Sequence, residues 1–178
     1  MKVDVLPAGP SLLAAGEIVW PAGARMSLTG MRLALATGNT FQVESGLSIR
    51  VAPLPVIAVL KMVSYLDRPA ERERDLHDIA YILENHVPPD DDRRFDPAVV
   101  DAAVPFEVAS AYLLGHDLGS LLNDVERQAV DAFVARVRDA GHPAATQAMM
   151  TRLGPPSWNQ DPDQLLARVD AFMEGLGK

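Results

Sequence analysis

The sequence predicts an α+β protein, with short strands in its first third and helices after them. Three observations carry this reading. Residues 1–53 hold brief alternating runs cut by proline and glycine. From Pro55 onward the apolar residues recur at helical spacing. The two patterns succeed one another rather than alternating, and no internal repeat interrupts them.

In chain order, Val3–Leu6 alternates apolar and acidic residues like a short strand stopped by Pro7 and Gly9. Glu17–Trp20 is a second strand, stopped by Pro21-Ala22-Gly23. Met26–Ala36 fits a strand or a helical turn equally well. Phe41–Val43 and Leu47–Val51 bracket Glu44-Ser45-Gly46, a hairpin with a glycine available for positive φ. Pro55 suits the first turn of a helix reaching Leu66, and a short charged link leads to a second helix ending near Leu83. Asp90-Asp91-Asp92-Arg93-Arg94 reads as a proline-broken loop. Asp96-Pro97 opens a helix toward Val104, Pro105 restarts it and Gly115 ends it. Asn123 caps a helix over Asp124–Ala140. Asp161-Pro162 opens the last one, whose Leu165, Leu166, Val169, Phe172, Met173 and Leu176 form one apolar stripe.

With 178 residues, 48% of them hydrophobic and 22% charged, the chain can build a sizeable core. It has no cysteine, which excludes disulfides and thiolate metal sites and fits a cytoplasmic protein. The interrupted N-terminal run is not expected to be a signal peptide, and no membrane span is expected. A net charge of -8 argues against a broad nucleic-acid footprint but leaves room for a local basic pocket.

The chain centres on Leu54–Leu83. Lys61, Ser64 and Arg68 form one polar stripe on an otherwise apolar helix, and Asp75 and Asp78 sit three apart on the next. Such a basic stripe facing an acidic pair is either an ion-pair lock or one wall of a binding site. Lys61 is the strongest single candidate, because a lysine among apolar neighbours must be paired or reach a cleft; its plainer explanation is a snorkelling side chain. Arg68 equally serves a helix C-terminus, and Asp75 and Asp78 a helix N-terminus, with Arg72 and Arg74 as local partners. Asp4 is either a metal ligand at a sheet edge or a residue on the solvent face. The Asp90–Asp92 run lacks the spacing of a calcium loop. The histidines stand in no metal-binding spacing, and there is no G-x-S-x-G, Walker loop or G-x-G-x-x-G.

The segments VDVLPAG (3–9), EIVWP (17–21), LSIRVAPLPVIAVLKMVSYLDR (47–68), RDLHDIAYIL (74–83) and AYLLGHDL (111–118) resemble, in order, the AbiEii-type toxin nucleotidyltransferases of the polymerase-β-like superfamily. The K…DR…RD..D pattern is the most specific part. The resemblance implies a small catalytic sheet followed by a helical bundle. It divides the chain into a partial sheet region (1–53), a helical region carrying the motif (54–141) and a helical extension (142–178). It makes Asp4 a catalytic, Mg²⁺-binding carboxylate, Lys61 and Arg68 nucleotide-binding residues, and Asp75 and Asp78 catalytic residues beside Asp67. It implies Mg²⁺, an NTP, an RNA or tRNA acceptor and a cognate antitoxin. In such enzymes a Gly-Ser turn and a D-x-D pair precede the strand matched by Asp4, and neither stands upstream of Asp4 here. The expectation is therefore an incomplete nucleotidyltransferase sheet, self-association through its open edge, and activity that depends on a complementing segment. The alternative is a catalytically inactive binding or assembly module.

Overall fold

The computed structural model describes residues 6–139, 141 and 146–177. It is an α+β structure of two small antiparallel hairpins and a larger helical body. Helix α1 (Pro10–Ala15) leads into β1 (Glu17–Val19), which pairs with β2 (Arg25–Ser27). Helix α2 (Met31–Thr37) follows, then β3 (Asn39–Glu44) pairs with β4 (Leu47–Val51) across a turn in which Gly46 adopts φ 84°. A register shift between Gln42 and Glu44 makes this a bulged hairpin, and a glycine in the left-handed region is what that turn requires. The segment Met26–Ala36 resolves into both alternatives, a strand end and then a helix. The strand expected at Val3–Leu6 lies outside the described residues except for Leu6.

Helices α3 (Leu54–Asp67) and α4 (Glu73–Asn85) pack against each other across the link 68–72. Helix α3 is apolar enough to be buried on most of its circumference: Val56, Ala58, Val59 and Met62 are all inaccessible or nearly so. Full burial of a Val or Met side chain stabilises by about 1.5–3 kcal/mol. Helix α4 is instead amphipathic, burying Leu76, Ile79, Ala80, Ile82 and Leu83 together with Asp75 and leaving its other charged residues at least partly exposed. A 3₁₀ turn at Asp92–Phe95 and helix α5 (Pro97–Asp101) then lead through a second 3₁₀ turn to α6 (Ala109–Gly119). Helices α7 (Asp124–Arg138), α8 (Thr146–Leu153) and α9 (Pro162–Leu176) complete the body. Asn123 caps α7 as expected, in a reciprocal capping box with Glu126. Asp161 caps α9 by accepting from the Asp163 amide.

The expectation that Gly115 ends a helix is corrected, since α6 runs through it. The glycine serves packing instead. A Cβ at Gly115 would lie 2.0 Å from the Phe172 carbonyl oxygen, and one at Gly175 would lie 2.0 Å from that of Tyr112. These two notches let α6 and α9 approach backbone to backbone, so α9 joins the same core as α3, α4 and α7. Within that core Tyr65 meets Phe133 edge to face at 6.0 Å. The helix opened by Asp96-Pro97 stops at Asp101, and the chain turns at Ala103 with φ 52°. No helix among the described residues is long and apolar enough to cross a membrane.

Candidate functional site

The polar stripe of α3 faces the first turns of α4. Lys61 Nζ donates to Asp75 Oδ1 at 2.8 Å and lies 2.7 Å from Asp78 Oδ2. One ammonium thus bridges two carboxylates of very different environment. The Asp75 side chain is 6% exposed and that of Asp78 is 44% exposed, with Lys61 between them at 32%. Burial alone pushes the lysine pKa down, but hydrogen bonds and charge from Asp75 and Asp78 together outweigh it and leave Lys61 above its ordinary 10.5. For Asp78, desolvation pushes upward and is outweighed by Lys61, with His77 adding to it, so that carboxyl lies below 3.8. The second oxygen of Asp75, Oδ2, is buried and has no hydrogen-bond partner. An unsatisfied buried acceptor costs about 1–3 kcal/mol, and is most readily understood where a ligand or water will meet it.

This cluster opens on two sides. On one side is a cavity of about 560 Å³ lined by Lys61, Asp75, Ser64, Asp67, Arg68 and Arg72 and by the apolar Trp20, Met26 and Met31. On the other is an opening of similar volume, lined by polar and charged side chains of α4 and the 68–72 link. The first hairpin is held over the cavity by Asp67, whose Oδ2 accepts the Ser27 amide at 2.8 Å. Arg68 donates to the Arg25 carbonyl at 3.4 Å and lies 3.7 Å from Glu71, long contacts that leave most of its guanidinium available.

Lys61, Arg68, Asp75 and Asp78 are therefore brought together, with Asp67 beside them. Asp4 lies outside the described residues. The local partners expected for the aspartates are corrected: neither Arg72 nor Arg74 pairs with Asp75 or Asp78 among the described residues, because Lys61 occupies that position from the neighbouring helix. Arg72 instead lines both openings, a place that no spacing in the sequence singles out. Trp20 was read only as a strand end. A lone tryptophan before Pro-Ala-Gly carries no signal of its partners, since only the hairpin brings it back to α3.

The family resemblance implies Mg²⁺, and the donor set can be tested for it. Among the described residues no three His, Cys, Asp or Glu side chains converge on one point. Asp75 and Asp78 are already joined by an ammonium, whereas Mg²⁺ demands octahedral oxygen ligation. The described residues therefore do not fit a divalent ion, and the cation of this carboxylate pair is Lys61.

A search of curated proteins and a search of solved structures each find no significant match. The sequence profile of the nucleotidyl transferase AbiEii toxin, type IV toxin–antitoxin system, matches residues 14–173. That span takes in both hairpins, the α3–α4 pair with its bridged lysine and all but the last turn of α9, and the chain belongs to the AbiEii nucleotidyl transferase toxin family.

Proposed function

We propose that this chain forms the nucleotide-binding wall of a nucleotidyltransferase toxin, which transfers a nucleotide from an NTP to an RNA acceptor such as a tRNA end. The observation that carries the reading is the bridged Lys61 lining an open cavity, next to an aspartate oxygen with no partner. In the reaction an acceptor hydroxyl oxygen bonds to the α-phosphorus and releases its proton to solvent, the bond from that phosphorus to the bridging oxygen breaks and pyrophosphate leaves. The chain's own contribution is positional and electrostatic. Lys61, Arg68 and Arg72 offer positive charge to the phosphates. Asp75 fixes Lys61 through Oδ1 and offers Oδ2 as acceptor to the incoming hydroxyl.

The metal-binding carboxylates are proposed to come from elsewhere. Asp4 supplies one by resemblance, and a segment of the Gly-Ser…Asp-x-Asp type, acting in complement, supplies the others. Incubation of the 178-residue chain with Mg²⁺, α-labelled NTPs and total RNA tests this, with and without such a segment. Label is expected to enter RNA only with the complement, and to be lost in Lys61→Ala. Robust transfer by the chain alone would overturn the dependence. A second reading, an inactive binding or assembly module, is favoured by the full engagement of Lys61 with two carboxylates. It predicts no transfer under any arm and a Lys61→Ala variant that differs only in stability.

The matching family is described as a toxin of a type IV toxin–antitoxin system, which supports a cognate antitoxin as the proposed protein partner. Self-association is proposed through the second hairpin. Phe41 pairs with Ile49 on one of its faces, Leu47 and Val51 follow at two-residue spacing, and all four are exposed beside unpaired strand edges. Sedimentation velocity should show association rising with concentration and suppressed by Phe41→Ser with Ile49→Ser. Concentration-independent monomer would rule it out.

A further inference from the structure

The cavity beside Lys61 has an apolar share of its lining that phosphate binding does not use. Its lining includes the cations Lys61, Arg68 and Arg72. It also includes an apolar set, Trp20, Met26 and Met31, of which Trp20 is 38% exposed. Trp20 closes the β1–β2 hairpin by accepting the Gly23 amide and donating its own amide to the Ala24 carbonyl, so its backbone is fixed. Asp67 pins the same hairpin to α3 through the Ser27 amide. A large aromatic surface is thus left partly exposed on a tethered element, lining a cavity that also holds cations. Such a flat, sequence-tolerant π-surface is what a nucleobase stacks on, and polarizable methionine sulfur suits its edge. The cavity volume of about 560 Å³ lies within the range of about 300–1,000 Å³ typical of small-molecule sites.

We propose that Trp20 is the base-stacking platform of the nucleotide site, holding the nucleobase while the phosphates reach toward Lys61, Arg68 and Arg72. This deepens the functional reading above and rests on it for the phosphate end alone. Stacking offers no hydrogen-bond pattern that reads a base edge, so it predicts binding of all four NTPs with differences set by stacking strength.

The test separates the two ends of the ligand. Calorimetry on the full chain uses tripolyphosphate and each NTP, with Mg²⁺ present. Wild-type protein should bind NTPs more tightly than tripolyphosphate. Trp20→Ala should weaken NTP binding by about 5- to 150-fold, to the tripolyphosphate level, and leave tripolyphosphate unchanged. Trp20→Phe, which keeps an aromatic face and the hairpin, should retain most of the NTP affinity. Fluorescence gives an independent readout because the other tryptophan, Trp158, is fully buried in the helical body. NTP should quench wild-type emission, and the quench should vanish in Trp20→Phe. Equal NTP affinity in wild type and Trp20→Ala, with tripolyphosphate still bound, overturns the stacking role and spares the phosphate reading. Failure of wild-type protein to bind either ligand overturns both. If Trp20→Ala does not fold, the quench and the Trp20→Phe affinity decide.

Discussion

Replacing Lys61 with methionine should expose how much of the α3–α4 pair depends on the bridge. The change keeps an unbranched stem of similar reach and removes the ammonium, which strands Asp75 as a buried carboxylate with neither oxygen partnered. Breaking a fully buried pair by removing one partner costs about 3–5 kcal/mol. Here Lys61 is about one-third exposed and Asp78 nearly half, so solvent screens part of the loss and about 2 kcal/mol is expected. For a domain of this length that lowers Tm by roughly 4–8 °C. Thermal unfolding followed by circular dichroism at pH 7 measures it. The pH window follows from the signs. The folded pKa of Lys61 is raised, so its stabilisation is fully present below 10.5 and is lost as pH climbs through the folded value. The folded pKa of Asp78 is lowered, so its share is present above 3.8 and is lost as pH falls through the folded value. The gap between wild type and variant should therefore be flat from about pH 5 to 9 and narrow outside it. Adding Asp75→Asn should restore about half of the loss by discharging the stranded group. A Lys61→Met variant as stable as wild type, or a double variant no better than the single, would refute the account of a buried carboxylate held by one lysine.

Two further outcomes concern the scaffold. Gly115→Ala should destabilise by about 3 kcal/mol or more, because its methyl meets a backbone carbonyl that cannot turn aside, whereas Gly9→Ala, with open space around it, should stay within about 0.5 kcal/mol; urea unfolding of both variants checks the contrast. Acid stability should be governed by Glu84 and Asp117. Desolvation pushes both carboxyls upward, but Arg168, Trp158 and Ser157 outweigh it at Glu84, as do His86 and Arg93 at Asp117. Both therefore lie below their ordinary values, so their stabilisation holds above about pH 4.5 and is lost as pH falls through the folded values. An Arg168→Met variant should show a shallower acid slope along with its lower stability at pH 7.

The fold and the site were legible to different depths. Helix α3 could be read because proline opened it and one lysine interrupted an apolar run, and the Asn123 and Asp161 caps because their chemistry is local. Gly115 misled because a glycine that ends a helix and one that admits a neighbouring backbone look alike in one dimension; the partner, Gly175, lies sixty residues away in sequence. Helices α1 and α8 were missed for a related reason: α1 buries no residue fully, and α8 is a short helix whose apolar positions gain meaning only from the packed body. At the site, Lys61, Arg68, Asp75 and Asp78 were legible because helical spacing places them on two faces. Their pairing was one of two readings of the stripe, and only the structure selects Lys61 over Arg72 and Arg74, which are closer to the aspartates in sequence.

The lock and the binding wall need not compete, because the two carboxylates hold Lys61 with unequal strength. Asp78 is exposed, and an ion pair of that kind contributes about 0–1 kcal/mol, so an arriving phosphate can take its place on the ammonium. Asp75 is buried and loses its compensation if Lys61 leaves, so it keeps the ammonium aimed while the other contact is exchanged. This asymmetry makes opposite predictions for two similar substitutions. Asp78→Asn removes a competitor and some repulsion, and should tighten tripolyphosphate and NTP binding by up to about 5-fold. Asp75→Asn frees the lysine from its anchor and should weaken binding, even though it too removes a negative charge beside Lys61. Calorimetry with Mg²⁺ present distinguishes the two. If both variants bind more tightly by similar factors, net charge alone governs the site and Asp75 has no positioning role; if both bind more weakly, Asp78 belongs to the ligand contact rather than to the resting lock.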